Sequence, residues 1–152
     1  MKVYLDNFVL EEYNASNLQH REVIERLNQD KESKKYLGDL FYAIQKNSKR
    51  SEEDISKLNK TFISYYNEYP IGYFAIYTIH SEYQVSCGLL EEYRKQYLAS
   101  LLLEEASTYF LSEYIDINEI FAIIDKENIA SQNSALRAGY ERIEEEKYSI
   151  KK

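Results

Sequence analysis

GLLEEYRKQYLASLLLEEA, which runs from Gly88 to Ala106, is the stretch of sequence that decides the fold. It begins with the end of an apolar strand, continues through a short polar turn, and enters a helix with one apolar face near Leu98. A strand that passes through a turn into a helix brings several free backbone N–H groups to the positive end of the helix dipole. The stretch is therefore a potential phosphate-binding site.

The phosphate donors would be the backbone N–H groups at the start of this helix. They belong to Gln96, Tyr97, Leu98, Ala99 and Ser100. Arg94 and Lys95 would add positive charge beside them. Phosphate-binding turns usually contain glycine, because the backbone must approach the ligand closely, and residues 94–100 contain none. Taken alone, the stretch is better explained by a plain strand-to-helix connection that binds nothing.

Composition limits the classes of function. The chain has 152 residues, which is enough for one domain, residues 1–152, with a sizeable core. The formal net charge of −7 argues against binding of nucleic acid or of an anionic membrane, since both need a positive field. The charge favours a cationic or amine-bearing partner, but a solubilising acidic surface has the same composition.

The sequence predicts a cytoplasmic protein. Its one cysteine, Cys87, excludes an internal disulfide and fits a reducing compartment. No apolar run resembles a signal peptide or approaches the length of a transmembrane span. Because Cys87 alternates with other residues in an apolar strand, we interpret it as a core residue rather than a nucleophile. No metal site is expected.

The N-terminal third is predicted to be mainly helical. Residues 3–10 alternate loosely and are expected to form a first strand. Residues 16–19 have the capping-box pattern that begins a helix. Apolar residues at one helical face indicate a second helix over residues 36–44, which we expect to form one wall of an acceptor pocket together with residues 45–60. Residues 47–51 are expected to be a polar break before one further short helix.

The middle of the chain predicts a sheet. Residues 61–66, 71–80 and 83–89 are rich in β-branched and aromatic residues, and their short connections favour an antiparallel meander. Residues 120–124 are predicted to form a strand that is buried on both faces, because apolar residues fill both of them. Because this strand follows a helix, we expect it to lie parallel to the 83–89 strand through a right-handed crossover.

The C-terminal part completes the fold. A short helix over residues 131–138 is predicted to end at Gly139 in the left-handed conformation, and a charged last strand is predicted over residues 140–150. These elements indicate one α/β (mixed α+β) domain. The loop and helix after the 120–124 strand carry a second motif, with Asn128 and Ser131 three residues apart. Each of these two residues is also a candidate helix cap.

Together the two motifs resemble the GNAT superfamily of N-acetyltransferases. Arg94-x-x-Tyr97-x-Ala99 partly matches the family's motif A, Arg/Gln-x-x-Gly-x-Gly/Ala, with Tyr97 in place of a glycine. Beyond the next strand, Asn128-x-x-Ser131 followed by Gly-Tyr resembles the family's motif B. The spacing is most similar to the RimJ/RimL-like branch, which acetylates ribosomal-protein N-termini and related amines.

The resemblance implies a GNAT-like sheet with helices on both faces and a place for acetyl-CoA. The strands 83–89 and 120–124 would splay apart, with acetyl-CoA wedged between them. Backbone groups of Leu89 and Leu90 would pair with the pantetheine arm, and the turn over residues 96–100 would hold the pyrophosphate. The side chain of Asn128 would bind the pantetheine amide region, and Ser131 would lie near the thiol.

The resemblance also implies the chemistry. An amine attacks the thioester directly, so the site must remove a proton from the ammonium, stabilise the oxyanion and protonate the leaving thiolate. The usual tyrosine acid of the family falls on Ala135 here, and Ser131 is the substitute that we name, although a cap role explains it equally. Glu82 and His80 are the candidate bases, and the plainer interpretation of each is a turn or strand-end residue.

Three functions remain open at this stage. The first is an active N-acetyltransferase that acts on a small molecule, or on the N-terminus or a lysine of a protein. The second is a GNAT-fold CoA-binding or regulatory protein that has lost catalysis, which Tyr97 and Ala135 favour. The third is an interaction protein without a cofactor, since the sixteen tyrosines would suit a protein surface. A homodimer through tyrosine-rich strands is compatible with the sequence.

Overall fold

The computed structural model describes residues 1–94 and 96–152. Its strands are β1 (Lys2–Tyr4), β2 (Phe8–Glu12), β3 (Lys60–Tyr66), β4 (Tyr69–Ile79), β5 (Glu82–Leu89), β6 (Glu119–Ile123), β7 (Glu141–Glu144) and β8 (Lys147–Lys151). Its helices are α1 (Leu18–Gln29), α2 (Lys31–Leu37), α3 (Leu40–Glu53), α4 (Leu98–Glu113) and α5 (Ile129–Arg137). Within these residues the strands form one sheet in the order β1-β2-β3-β4-β5-β6-β8-β7.

The strand pairing confirms the predicted meander and crossover. β3, β4 and β5 are antiparallel neighbours, and β6 returns after α4 to lie parallel to β5. No helix in the described part of the chain is long and apolar enough to cross a membrane.

The parallel pair β5–β6 separates towards the carboxyl ends of both strands. β5 pairs with β4 along its whole length, but it pairs with β6 only from Tyr83 to Val85. β6 in turn pairs with β8 from Glu119 to Ile123. Each strand is therefore held on its outer side, and the stretch of β5 from Ser86 to Leu89 has an open edge. We call the space beside this edge the gap, and it confirms the predicted splay.

Helices cover both faces of the sheet, and alternate residues of β4 separate two cores. Tyr73 and Ala75 pack beneath α1 and α3. Phe74 and Ile76 belong to a larger core on the opposite face, beneath α4 and α5. In that core Phe74 stacks on Phe110 of α4, with ring centroids 6.0 Å apart. The gap therefore has α1, α2 and α3 on one face of the sheet and α4 and α5 on the other.

Several predicted boundaries in the N-terminal part were wrong. Residues 3–10 form the hairpin β1–β2 rather than one strand. The hairpin turn is fixed by a distant contact, because Asn7 donates two hydrogen bonds to the carboxylate of Glu105 on α4. The first helix is capped by Asn17, whose Oδ1 accepts from the His20 N–H at 3.2 Å, and not by Ser16 of the predicted capping box.

The helix predicted over residues 36–44 is divided between α2 and α3. Gly38 takes a φ of 67° at the end of α2, and Asp39 caps α3 by accepting from the N–H groups of its first turn. α3 then continues through residues 47–51, where a polar break was predicted. The reason is Asn47, which is buried and donates to Thr61 Oγ1 at 3.1 Å, so this polar residue faces the core.

The C-terminal strand was also mispredicted. Residues 140–150 form the hairpin β7–β8, which turns at Glu145 and Glu146. β6 was predicted to be buried on both faces, but only one face is buried, since Ile123 is 54% exposed. The short helix α5 is confirmed, and Gly139 follows it with a φ of 99°.

The contact between β4 and β5 at the gap depends on glycine. A Cβ added to Gly72 would lie 2.0 Å from the carbonyl oxygen of Gly88, which is backbone and cannot move alone. We expect Gly72→Ala to lower the free energy of unfolding by about 3 kcal/mol, measured by urea denaturation. The control is Gly88→Ala, where the added Cβ would meet the flexible end of Leu37 at 2.8 Å. Equal losses in the two variants would contradict this account.

Candidate functional site at the gap

The N-terminus of α4 lies directly after the turn that leaves β5, as the sequence predicted. Four helices of the described chain, α1, α2, α3 and α5, begin with a side-chain cap. α4 begins at Tyr97 without one, and its first bond within the helix runs from the Leu101 N–H to the Tyr97 carbonyl at 3.1 Å. The N–H groups of Leu98, Ala99 and Ser100 therefore have no partner among the described residues, which suits an anion.

Tyr97 occupies the position that the sequence marked as unusual. Its φ of 59° and ψ of 12° are left-handed, which costs a tyrosine about 1–2 kcal/mol relative to glycine. The ring is 67% exposed, and the guanidinium of Arg137 on α5 stacks over it at 3.9 Å from the centroid. Arg137 has no carboxylate within 4.0 Å among the described residues.

Arg94 is used differently from the prediction. Its guanidinium donates to Asp30 at 2.9 Å, to Ser33 Oγ at 2.8 Å and to Glu32 at 3.3 Å. Its Nε donates to the Leu89 carbonyl at 3.1 Å. The carboxylates at the junction of α1 and α2 thus bind the cation that was expected beside the phosphate. Lys95, the other expected cation, lies outside the described residues.

The same contacts revise the roles expected of Leu89 and Leu90. The Leu89 carbonyl is occupied by Arg94, and the Leu90 N–H donates to the Ile71 carbonyl at 2.8 Å. The Leu90 carbonyl accepts from Tyr93 at 2.9 Å. The Leu90 N–H is therefore not free to pair with a pantetheine arm, whereas each of the two carbonyls keeps a second lone pair. The open edge of β5 runs from Ser86 to Leu89, so Leu89 is its last residue.

Asn128 and Ser131 lie at the start of α5, after β6. Asn128 Oδ1 accepts from the Ser131 N–H at 3.2 Å, so Asn128 is the cap residue of the pair. Its Nδ2 and the partly buried Ser131 hydroxyl have no protein partner in the described chain. The preceding loop is fixed, because Gln132 donates to the carbonyls of Asp125 and Lys126. Ala135 is fully buried in the core.

The structure does not bring the candidate bases to the gap. Glu82 forms an ion pair with Lys147 at 2.9 Å, at the opposite end of β5. Four residue steps along the strand separate it from Ser86, a span of about 13 Å. His80 has a φ of 50° and lies in the tight turn before β5. Cys87 packs against the main core, and burial raises the pKa of its thiol to about 11, which agrees with a core role.

A pair of hydroxyl groups at the gap was missed by sequence reasoning. Tyr73 on β4 and Ser86 on β5 are hydrogen-bonded, with 2.5 Å between the two oxygens. The Tyr73 ring passes close to Gly88, where an added Cβ would lie 3.1 Å from ring atom Cε1. A glycine inside a predicted strand was the available signal, since it often marks a close approach of another group.

The end of α2 lies over the gap on this face. Leu37 lies above Gly88, and the Tyr36 hydroxyl donates to the Glu127 carbonyl at 3.4 Å. Glu127 immediately precedes Asn128. α2 therefore connects the β5 side of the gap with the loop after β6, whereas most of α3 packs further along β3.

This chain matches the model of a known protein family and shares its fold with solved structures. Residues 21–140 match the model of the acetyltransferase (GNAT) family. RimL, a ribosomal L7/L12 α-N-protein acetyltransferase solved with coenzyme A, is 14% identical with a TM-score of 0.76, covering 99% of this chain and 98% of that chain. No curated protein sequence matches significantly.

Two further solved structures share the fold. AAC(6')-Ib, solved with ribostamycin and coenzyme A, is 14% identical with a TM-score of 0.73, covering 97% of this chain and 94% of that chain. The N-acetyltransferase PseH of Campylobacter jejuni, solved with acetyl coenzyme A, is 18% identical with a TM-score of 0.65, covering 95% of this chain and 99% of that chain. At these identities the likeness shows the fold alone.

The Arg94 cluster predicts a pH-dependent loss of stability. Hydrogen bonds from Arg94 lower the pKa of Asp30, so its stabilisation is complete above the unfolded pKa near 4 and is lost as pH falls through the lower folded pKa. We expect Arg94→Ala to lower the free energy of unfolding at pH 7 by about 2 kcal/mol. In denaturation measurements the difference from wild type should shrink below about pH 4.

A matched control uses an exposed arginine of the same region. Arg26 pairs with Glu92, and both side chains are about half exposed, at 52% and 50%. Arg26→Ala should therefore cost less than about 1 kcal/mol. If Arg94→Ala costs no more than this, or if its cost does not change with pH, Arg94 is not the anchor that the geometry indicates.

The left-handed backbone at Tyr97 predicts which replacement is tolerated. Tyr97→Gly and Tyr97→Ala both lose the ring, but only glycine is unstrained at this φ. We expect the glycine variant to be more stable than the alanine variant by about 1 kcal/mol in chemical denaturation. The same two substitutions at Ser112, an exposed residue of α4, should give the opposite order. A preference for alanine at both positions would mean that Tyr97 is not left-handed in solution.

Proposed function

We propose, because the chain belongs to the acetyltransferase (GNAT) family, that it transfers the acetyl group of acetyl-CoA to the nitrogen of an amine. The observation that carries the proposal is the uncapped N-terminus of α4 beside the open edge of β5. The first feature suits a diphosphate, and the second offers strand-like backbone groups to an extended arm. Their coincidence at one gap fits a ligand with both parts.

The residues of the gap fit acetyl-CoA, which when bound supplies an activated acyl group and a thiolate leaving group. The N–H groups of Leu98, Ala99 and Ser100 would bind the pyrophosphate, and the backbone of Gln96 and Tyr97 would shape the turn around it. Arg137 would supply the positive charge, since Arg94 is bound to Asp30. A guanidinium stacked on a ring keeps its in-plane N–H donors available for an anion.

Asn128 and Ser131 would act at the other end of the cofactor. The free Nδ2 of Asn128 would donate to a pantetheine carbonyl, while its Oδ1 continues to cap α5. When the amine nitrogen replaces the sulfur on the acetyl carbon, the Ser131 hydroxyl would pass its proton to the departing thiolate and recover one from water. The proton released by the amine would leave through water, because Glu82 is paired with Lys147 away from the gap.

The acceptor belongs to the class of amines, and the chain's charge favours a cationic one. The net charge of −7 would attract amines from solution. Small molecules and protein N-termini both remain within the proposal, because the relatives named above include a protein acetyltransferase and a protein solved with ribostamycin. A cytoplasmic location and a homodimer stay predictions of the sequence.

A second candidate is a CoA-binding protein without catalysis. Two observations favour it: the family's acid position is the fully buried Ala135, and the phosphate turn is strained at Tyr97. Both candidates share the cofactor site and differ only in turnover.

Calorimetry and turnover assays distinguish these candidates. We expect acetyl-CoA to bind, and at one hundred times its Kd to stabilise the protein by about 2.7 kcal/mol. Spermidine, kanamycin and a peptide with an N-terminal serine form the acceptor panel. Ser131→Ala should lower kcat about 10- to 100-fold with unchanged acetyl-CoA affinity, because it removes a proton donor. Ser134→Ala, one turn further along α5, should leave kcat unchanged.

The outcomes separate as follows. No binding of acetyl-CoA or CoA at millimolar concentration would refute both candidates. Binding without turnover on the panel would favour the second candidate. Wild-type kcat in Ser131→Ala would remove Ser131 from the mechanism.

A further inference from the structure

Ser86 is the first residue of β5 beyond its pairing with β6. The last paired residues are Val85 and Ala122. Ser86 is partly exposed, whereas its hydrogen-bond partner Tyr73 is only 3% exposed. Of the two residues, Ser86 is therefore the one that a molecule entering the gap can contact.

The neighbouring tyrosine fixes the direction of the Ser86 hydroxyl. Burial raises the pKa of Tyr73 well above its usual range, so its phenol keeps its proton. A phenol is a stronger donor than an aliphatic hydroxyl, so we assign the proton between the two oxygens to Tyr73. Ser86 Oγ then retains one lone pair and its own proton for a ligand.

The face on which Ser86 lies differs from the face of the cofactor groups. Ser86 alternates with Cys87, which packs against the core beneath α4 and α5. It shares its face with Gly88, which lies under Leu37 of α2. α4 and α5, which carry the proposed cofactor contacts, are on the opposite side of the sheet. The Ser86 hydroxyl therefore meets a ligand that enters beneath α2.

We propose that Ser86, oriented by Tyr73, binds the attacking amine of the acceptor. This inference rests on the proposed acetyl transfer and names the residue that binds the acceptor. Ser86 Oγ accepts a hydrogen bond from an N–H of the amine, which directs the nitrogen lone pair into the gap. Tyr73 is a positioning residue, because it acts only through Ser86. Neither hydroxyl contacts a carboxylate among the described residues, so the pair suits the neutral amine rather than the ammonium ion.

The test uses a conjugate of the two substrates, so that it does not depend on identifying the natural acceptor. The probe is CoA–S–CH2–CO–NH–CH2–CO–NH2, made from CoA and bromoacetyl-glycinamide, and CoA itself is the reference. Calorimetry gives the affinity of each for the wild type and for Ser86→Ala, Ser86→Thr and Tyr73→Phe. Tyr83→Phe is the matched control, since Tyr83 is also buried and hydrogen-bonded but lies in the paired part of β5.

We expect the wild type to bind the conjugate more tightly than CoA. Ser86→Ala should lower the affinity for the conjugate about 3- to 10-fold, because one hydrogen bond to the acceptor part is lost, and should leave the affinity for CoA unchanged. Ser86→Thr should retain most of the conjugate affinity, since it keeps the hydroxyl. Tyr73→Phe should produce a smaller loss than Ser86→Ala, and Tyr83→Phe should produce none. With glycinamide as acceptor, Ser86→Ala should raise KM more than it lowers kcat.

Three results would overturn the assignment. The first is equal weakening of CoA and conjugate in Ser86→Ala, which would place Ser86 on the cofactor side or reflect a general structural loss. The second is a threonine variant as weak as the alanine variant. The third is a wild type that binds CoA and binds the conjugate no more tightly than CoA. If the wild type binds neither compound, the proposed function fails together with this inference.

Discussion

The early end of pairing between β5 and β6 is the constraint on which the rest of this structure depends. Backbone N–H and C=O groups need partners, and two adjacent strands usually supply them along their whole length. Here each strand is committed to its outer neighbour: β5 follows β4 to Leu89, and β6 follows β8. The close contact of Gly72 with Gly88 holds β5 on its outer side. The two strands then diverge beyond Val85 and Ala122, which leaves the gap between them.

Two arginines lie near the start of α4, and only one of them is bound by carboxylates. Arg94 stands where the family pattern places an Arg or Gln, but Asp30 and Ser33 bind its guanidinium and tie the turn to α1 and α2. Arg137 comes from α5 and stacks on Tyr97 at the bare end of α4. Tyr97, which is strained at this φ where glycine would not be, is thus stacked against Arg137. In the proposed function, the first arginine is structural and the second contacts the ligand.

The order of elements could be predicted because it follows from local patterns, and the position of the gap could be predicted from the resemblance to the GNAT superfamily. Apolar periodicity indicates the helix after Leu98, and alternation indicates the strands of the meander. The hairpins and the division at Gly38 could not be recovered in the same way. The turn at Asn7 depends on Glu105, nearly one hundred residues away, and Asn47 looks like a break until Thr61 supplies its partner. Polar residues satisfied by distant groups carry no local signal.

The sequence by itself determined the family, the sheet with its parallel crossover, and the two motifs at the gap, because spacing along the chain is a local property. Only the tertiary structure decided what each side chain does. In the folded chain Arg94 binds Asp30, and Asn128 caps α5. The Leu90 N–H donates to the Ile71 carbonyl, and the Tyr73 ring passes over Gly88 to reach Ser86. The physical reason is that hydrogen bonds and ion pairs act over a few ångströms. Their partners are therefore known only when distant parts of the chain have been packed together.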